Sequence, residues 1–155
     1  PESFVKLCKD YQEEASSSGR KLKVGEGVGA FRSLHLGKTY DEAFERGIRS
    51  TGAGWNTYFA GFGFLEAFRN PGEEAPAPLQ LGSDRDVFQR MVDHDMSICG
   101  TADDVKRKME KIATCYGEGE LEWFGWLFPQ GHLTWDETRY QLDTFHNEVL
   151  PAFKN

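Results

Sequence analysis

The sequence predicts an α/β protein organised around a parallel sheet, and three observations predict it. Short apolar runs alternate with amphipathic helical stripes. A Thr or Ser followed three residues later by an acid repeatedly opens the next helix. The run LEWFGWLF, residues 121–128, is apolar at nearly every position, which is how a strand covered on both faces reads.

In chain order, Phe4, Leu7, Cys8, Tyr11 and Ala15 form one helical stripe that stops at Ser16–Gly19. A strand follows within VGEGVGAFRSLHLG, with Val28, Ala30, Leu34 and Leu36 on one face and glycines marking a crowded or bent entry. Thr39 and Glu42 form a capping box for a helix that buries Ala43, Phe44, Gly47 and Ile48. Thr51-Gly52-Ala53-Gly54 predicts a break, after which Trp55, Phe59 and Phe62 share one side of a second helix. Residues 70–83 hold three of the six prolines and no periodicity, and read as a mobile surface excursion.

Ser83 then caps a helix carrying Val87, Phe88, Met91 and Val92, and MSICG, residues 96–100, is a brief strand. Thr101 with Asp104 opens a helix whose stripe is Val105, Met109, Ile112, Ala113 and Tyr116, ending at Gly117. After the aromatic strand, Thr134 with Glu137 opens the last helix, which buries Leu142, Phe145 and Val149 and ends at Pro151. The length of 155 residues suits one domain, 1–155.

A net charge of -7 argues against nucleic acid and anionic membrane surfaces as partners, since both are met by basic patches. No apolar run reaches a membrane-spanning length. Cys8, Cys99 and Cys115 lie among apolar residues without ligand spacing, which predicts reduced core thiols and a cytoplasmic setting.

Ligands of parallel α/β folds bind beyond the carboxyl ends of the strands. Three such segments are Leu36–Thr39, Cys99–Thr101 and Phe128–His132. Gln130 is either a hydrogen-bonding ligand contact or a turn residue, and His132 either an acid–base group or a residue flanking a helix. Trp55, Tyr58, Phe59, Phe62, Phe64 and Phe68 read either as helix packing or as an apolar substrate pocket beneath a lid. His35, between Leu34 and Leu36, reads as structural. His94 and His146 read as solvated, and no residue set has metal spacing.

Two stretches together, ICGTADDVKRKMEKI (98–112) and LEWFGWLFPQGHLTWDETRYQLDTFHNEVLPAF (121–153), resemble the carboxyl-terminal end of the bacterial luciferase-like, flavin-dependent monooxygenases. That family has a Gly-Ser/Thr-Pro-Glu/Asp turn opening a helix, an apolar final strand, and a last helix ending in Glu-x-Val-x-Pro. The matching residues are Gly100–Asp103 and Glu148–Pro151, with Ala102 standing where proline is usual. Upstream, DYQEEASSSGR (10–20) is similar to the helix before the family's seventh barrel strand. FRSLHLGKTYDEAFERG (31–47) is similar to that strand and the helix after it.

The resemblance implies the last two strands and helices of a (β/α)8 barrel, with residues 70–83 as the lid between them. A whole barrel needs about 250 residues, so the chain is expected to be the carboxyl-terminal portion of a longer protein. The implied chemistry is oxidation of an apolar organic substrate by reduced flavin and oxygen. FMN is the cofactor, or the deazaflavin F420 in a branch that transfers hydride. Phe128 and Gln130 are expected near the flavin ring, with Trp55, Phe59 and Phe62 on the substrate side. The flavin phosphate falls to the early strands, and no catalytic base is assigned. The expected assembly is a homodimer or a complex with the missing barrel half. The rival expectation is a non-enzymatic flavin-binding or dimerising module.

Overall fold

A computed structural model describes residues 2–73, 78–114, 123–128 and 131–153. Helix α1 (Glu2–Ser17) precedes strand β1 (Gly29–Leu36). Helix α2 (Tyr40–Gly47) continues through π-helical turns at Ile48–Gly52 and Trp55–Phe59 and a 3-10 turn at Ala60–Phe62. A further 3-10 segment (Phe64–Phe68) leads to α3 (Asp84–Asp93), β2 (Ser97–Gly100) and α4 (Ala102–Thr114). Strand β3 (Trp123–Leu127) and α5 (Trp135–Thr144) follow, and α5 runs on through Phe145–Val149 and Leu150–Phe153.

Among the described residues the sheet has three parallel strands in the order β2-β1-β3. Gly29 to Ser33 pair with Trp123 to Leu127, and Ser33 to Leu36 pair with Ser97 to Gly100. The carboxyl half of the central strand is covered on both faces. Leu34 and Leu36 join Cys8 of α1, Ile98, Val105 and Ile112 of α4, and Val149 beyond α5. On the opposite face Ala43 and Phe44 of α2, Phe88 of α3 and Cys99 make a second cluster, and the His35 ring meets Phe88 edge-on. A third cluster joins Leu65 and Phe68 to Val87 and Met91, with Trp55 packed against it. Helices on both faces of a mostly parallel sheet form the layered α/β arrangement.

Several sequence expectations need correction. The chain does not break at 51–54, because Ala53 and Gly54 keep helical backbone angles. A side chain at Gly47 would enter the Phe88 ring, and one at Gly52 would strike the Asp84 carbonyl. These glycines let α2 and α3 approach closely, and that packing overrides their poor helix propensity. The segment ends at Gly63, in the left-handed conformation at φ 77°.

Strand β3 is covered on one face only. Phe124 and Trp126 pack into the main core, whereas Trp123 and Leu127 are 49% and 48% exposed because no described helix lies over their side. Leu7 and Tyr11 of α1 are exposed while Cys8 and Ala15 are buried, so α1 meets the core along a narrower stripe. In α5, Leu142 is exposed, and Thr138, Gln141 and Thr144 turn inward instead. The Ala113 side chain, Cys115, Tyr116 and Gly117 lie outside the described residues.

Candidate functional site

At the carboxyl end of β1 the chain must turn sharply into α2. Gly37 makes this turn, since a side chain there would run into the Ala43 amide and the Thr39 carbonyl. The Thr39 hydroxyl accepts from the Glu42 amide at 3.2 Å, and the Glu42 carboxylate accepts from the Lys38 amide at 2.9 Å. The β1–β3 ladder stops at the Ser33–Leu127 pair. Side chains from two helices therefore satisfy the last peptide of β1. The Leu36 amide donates to Gln141 Oε1 of α5 at 3.1 Å, and Arg46 of α2 donates to the Leu36 carbonyl.

Arg46 is buried and also donates to Glu42. Its Nε has no hydrogen-bond partner and lies 3.7 Å from Glu137. Next to it, His35 is wholly buried, with Nε2 at 2.7 Å from the Thr51 hydroxyl in the first π-helical turn. Burial pushes the imidazole down to about 4; a hydrogen bond with Gln141 opposes that shift and the Arg46 charge adds to it. His35 is thus a neutral residue of the core, as its place between two leucines predicts. Its Nδ1 lacks a hydrogen bond of good geometry.

Above this buried layer, Arg49 donates to the Glu137 carboxylate and, at 3.0 Å, to the His132 carbonyl. Glu137 also completes the capping box of Thr134. The Arg49 contact, joined by the Thr134 donors, pulls its carboxyl down to about 2. His132 is exposed at φ 59°, and its backbone carbonyl makes the contact to α2. The turn before α5 is thereby latched to α2.

These groups bear directly on anion binding. A helix N-terminus receives a phosphate through free amide groups. Here Glu42, Asp104 and Glu137 each turn back on their own helix start, at Lys38, Thr101 and Thr134. Among the described residues, the carboxyl edge therefore presents three helix starts already capped by carboxylates, and no phosphate cradle.

The predicted site residues do not converge. Phe128, partly buried, packs against Phe145 at 5.4 Å between ring centroids, beside the main core. Gln130 lies outside the described residues. Trp55 packs on Phe59 and Phe68, at 4.9 and 5.3 Å, in the third cluster. Phe59 and Phe62 are 41% and 78% exposed. Along the helix from Tyr40, Trp55 lies about 22 Å from the turn after β1. Sequence reading missed Arg46, Thr51 and Gln141. The signal available was a charged or amide residue at a position that helical spacing turns inward.

Two cavities accompany these elements. One, of about 430 Å³, follows the outer side of β2 and is lined by Tyr40, Gln89, Asp95, Cys99 and Lys108 among others. Asp95 and Lys108 are paired there at 2.6 Å. Burial pushes the Cys99 thiol up to about 11. It also raises the Tyr40 phenol to about 12, assisted by Cys99. Both stay protonated at neutral pH, so Cys99 is a packing residue and not a nucleophile. The other cavity, of about 260 Å³, lies between Asn56–Leu65 and Pro78–Leu81.

No protein family, curated protein or solved structure matches the chain. Among the described residues, no group of three His, Cys, Asp or Glu could hold a metal, and no helix is long and apolar enough to cross a membrane.

Proposed function

We propose that the chain belongs to a flavin-dependent oxidoreductase of the luciferase-like monooxygenase type, acting on an apolar organic substrate, and that it forms the last two strands and helices of its barrel. The observation that carries this reading is the parallel pairing of β1 with β3. These are the two strands that the resemblance makes neighbours, although α2, α3 and α4 separate them in sequence. The turn before α5 contacts the π-helical continuation of α2, where Arg49 donates to the His132 carbonyl.

The described residues do not form a complete flavin site. Their helix starts are occupied by carboxylates, and one side of the partly buried Phe128 ring meets Phe145. On this reading the cofactor phosphate is held outside them, and flavin supplies the redox chemistry when bound. The contributions left to this chain are an apolar wall at Phe128 and the aromatic segment Trp55–Phe62 as the substrate side.

A titration of FMN with the protein, followed by flavin fluorescence, tests the proposal. Saturable quenching that weakens in Phe128→Ala or Gln130→Ala is the expected result. Absence of quenching, or quenching unchanged in both variants, overturns it. The same titration with F420 separates the hydride-transfer branch from FMN chemistry.

A second reading, a non-enzymatic flavin-binding or dimerising module, is favoured by the uncovered face of β3. Phe31, Trp123 and Leu127 are each about half exposed there, on a strand with an open edge that a partner would cover. Flavin bound without oxygen consumption would select this reading.

A further inference from the structure

We propose that the cavity between Asn56–Leu65 and Pro78–Leu81 binds a small neutral molecule built on a single ring or a short branched chain and carrying one hydrogen-bonding group. This rests on the reading above that Trp55, Phe59 and Phe62 mark the substrate side. It names the chemical class the site would take.

The walls decide the class. Leu65, 1% exposed, joins Ala60, Leu79 and Leu81 in lining the space. Among the described residues, no lining residue is ionisable, in a chain where 28% of residues are charged. An ionic ligand would gain no ion-pair partner from these residues, whereas a neutral one needs none. Two amides, Asn56 and Gln80, are the polar side chains of the lining. Asn56 is fixed by donating from Nδ2 to Asp84 Oδ1 at 2.8 Å. Its Oδ1 and second amide hydrogen remain to orient one polar group of the ligand.

Size narrows the class further. An apolar cavity of about 150 Å³ holds a benzene ring, so about 260 Å³ leaves room for a ring with a short substituent. The far wall is anchored: Leu79 and Leu81 pack on the third cluster, and the Leu79 amide donates to Glu66, itself held by Arg69 at 2.7 Å. On either side of Ala60–Gly61, the exposed rings of Phe59 and Phe62 both contact Phe64, at centroid distances of 5.8 and 6.3 Å.

The probe is benzyl alcohol, followed by amide chemical shifts of the ¹⁵N-labelled protein, with benzoate as the charged counterpart of the same ring. Expected are saturable shifts centred on residues 56, 60, 65 and 79–81 with benzyl alcohol and none with benzoate. They should be lost in Ala60→Leu, which fills the cavity, while spectral dispersion shows that the variant is folded. If Ala60→Leu does not fold, Asn56→Leu decides: the preference for benzyl alcohol over toluene should disappear. Absence of saturable shifts, equal shifts with benzoate, or a preference retained in Asn56→Leu overturns the proposal. The probe needs no flavin, so failure of FMN binding leaves this result intact, and the converse also holds.

Discussion

Arg49 and Glu137, from two helices far apart in sequence, close a charged contact over the carboxyl end of β1. Because Glu137 also caps α5, a single carboxylate serves both the helix start and the link between helices. Replacing it with Ala removes both. The expected loss is about 1–2 kcal/mol, mostly from the cap, because Arg49 is partly solvated. Urea unfolding of the two proteins at neutral pH measures it. The Glu137 carboxyl is held below its ordinary 4.5, at about 2, so its contribution is full above pH 4.5 and fades as pH falls through about 2. The difference from Glu137→Gln should shrink over that interval.

His35 acts in the same sense, in a higher pH window. Its folded value, about 4, lies below the ordinary 6.5, so the unfolded chain takes up a proton first. Its neutral burial favours the fold fully above pH 6.5, and stability drains away as pH falls toward about 4. The unfolding midpoint of the wild type should therefore drop across that window, and the drop should be smaller in His35→Gln. Equal pH dependence in the two proteins would show that the ring carries no such linkage.

Glycines along the second helix should respond in opposite directions. Gly47→Ala places a methyl inside the Phe88 ring and should cost about 1–3 kcal/mol. Gly54 has helical backbone angles, and no atom lies within 4 Å of where an alanine methyl would stand, so Gly54→Ala should add about 0.4–1 kcal/mol. Thermal denaturation of both variants checks the contrast. A loss in each would mean that the helix does not run through residue 54.

Leu127→Lys tests whether the open face of β3 makes contacts. The side chain is half exposed, so the substitution should barely change unfolding. Any concentration-dependent association seen by light scattering should fall. Association that is equally strong in the variant would place the contact elsewhere.

Much of the local structure was legible because its causes are local. The pairs Thr39–Glu42, Ser83–Asp86, Thr101–Asp104 and Thr134–Glu137 mark helix starts within four residues, and each makes its cap. The run through residues 51–54 was hidden because it depends on Phe88 and Asp84 standing opposite Gly47 and Gly52. The inward turn of Gln141 in place of Leu142 answers an unpaired peptide at Leu36, a need that arises only once β3 has stopped pairing. Side of pairing was equally hidden: periodicity gives a strand its faces but not its neighbours, so the order β2-β1-β3 could not be read. The contact between the Phe128 and Phe145 rings was hidden too, since it joins a strand end to a helix 17 residues further on.

The Leu36–Gln141 hydrogen bond joins residues 105 apart, and this sets a schedule for the growing polypeptide. The central strand is synthesised before either neighbour, and its final peptide waits for α5. Until β2 and then β3 have been made, β1 offers unpaired edges and the apolar residues Leu34 and Leu36 to whatever else is near. Assembly that depends on such distant closures is slow relative to helix formation. The nascent chain is thus most vulnerable to misassociation between the making of β1 and the arrival of its last helix.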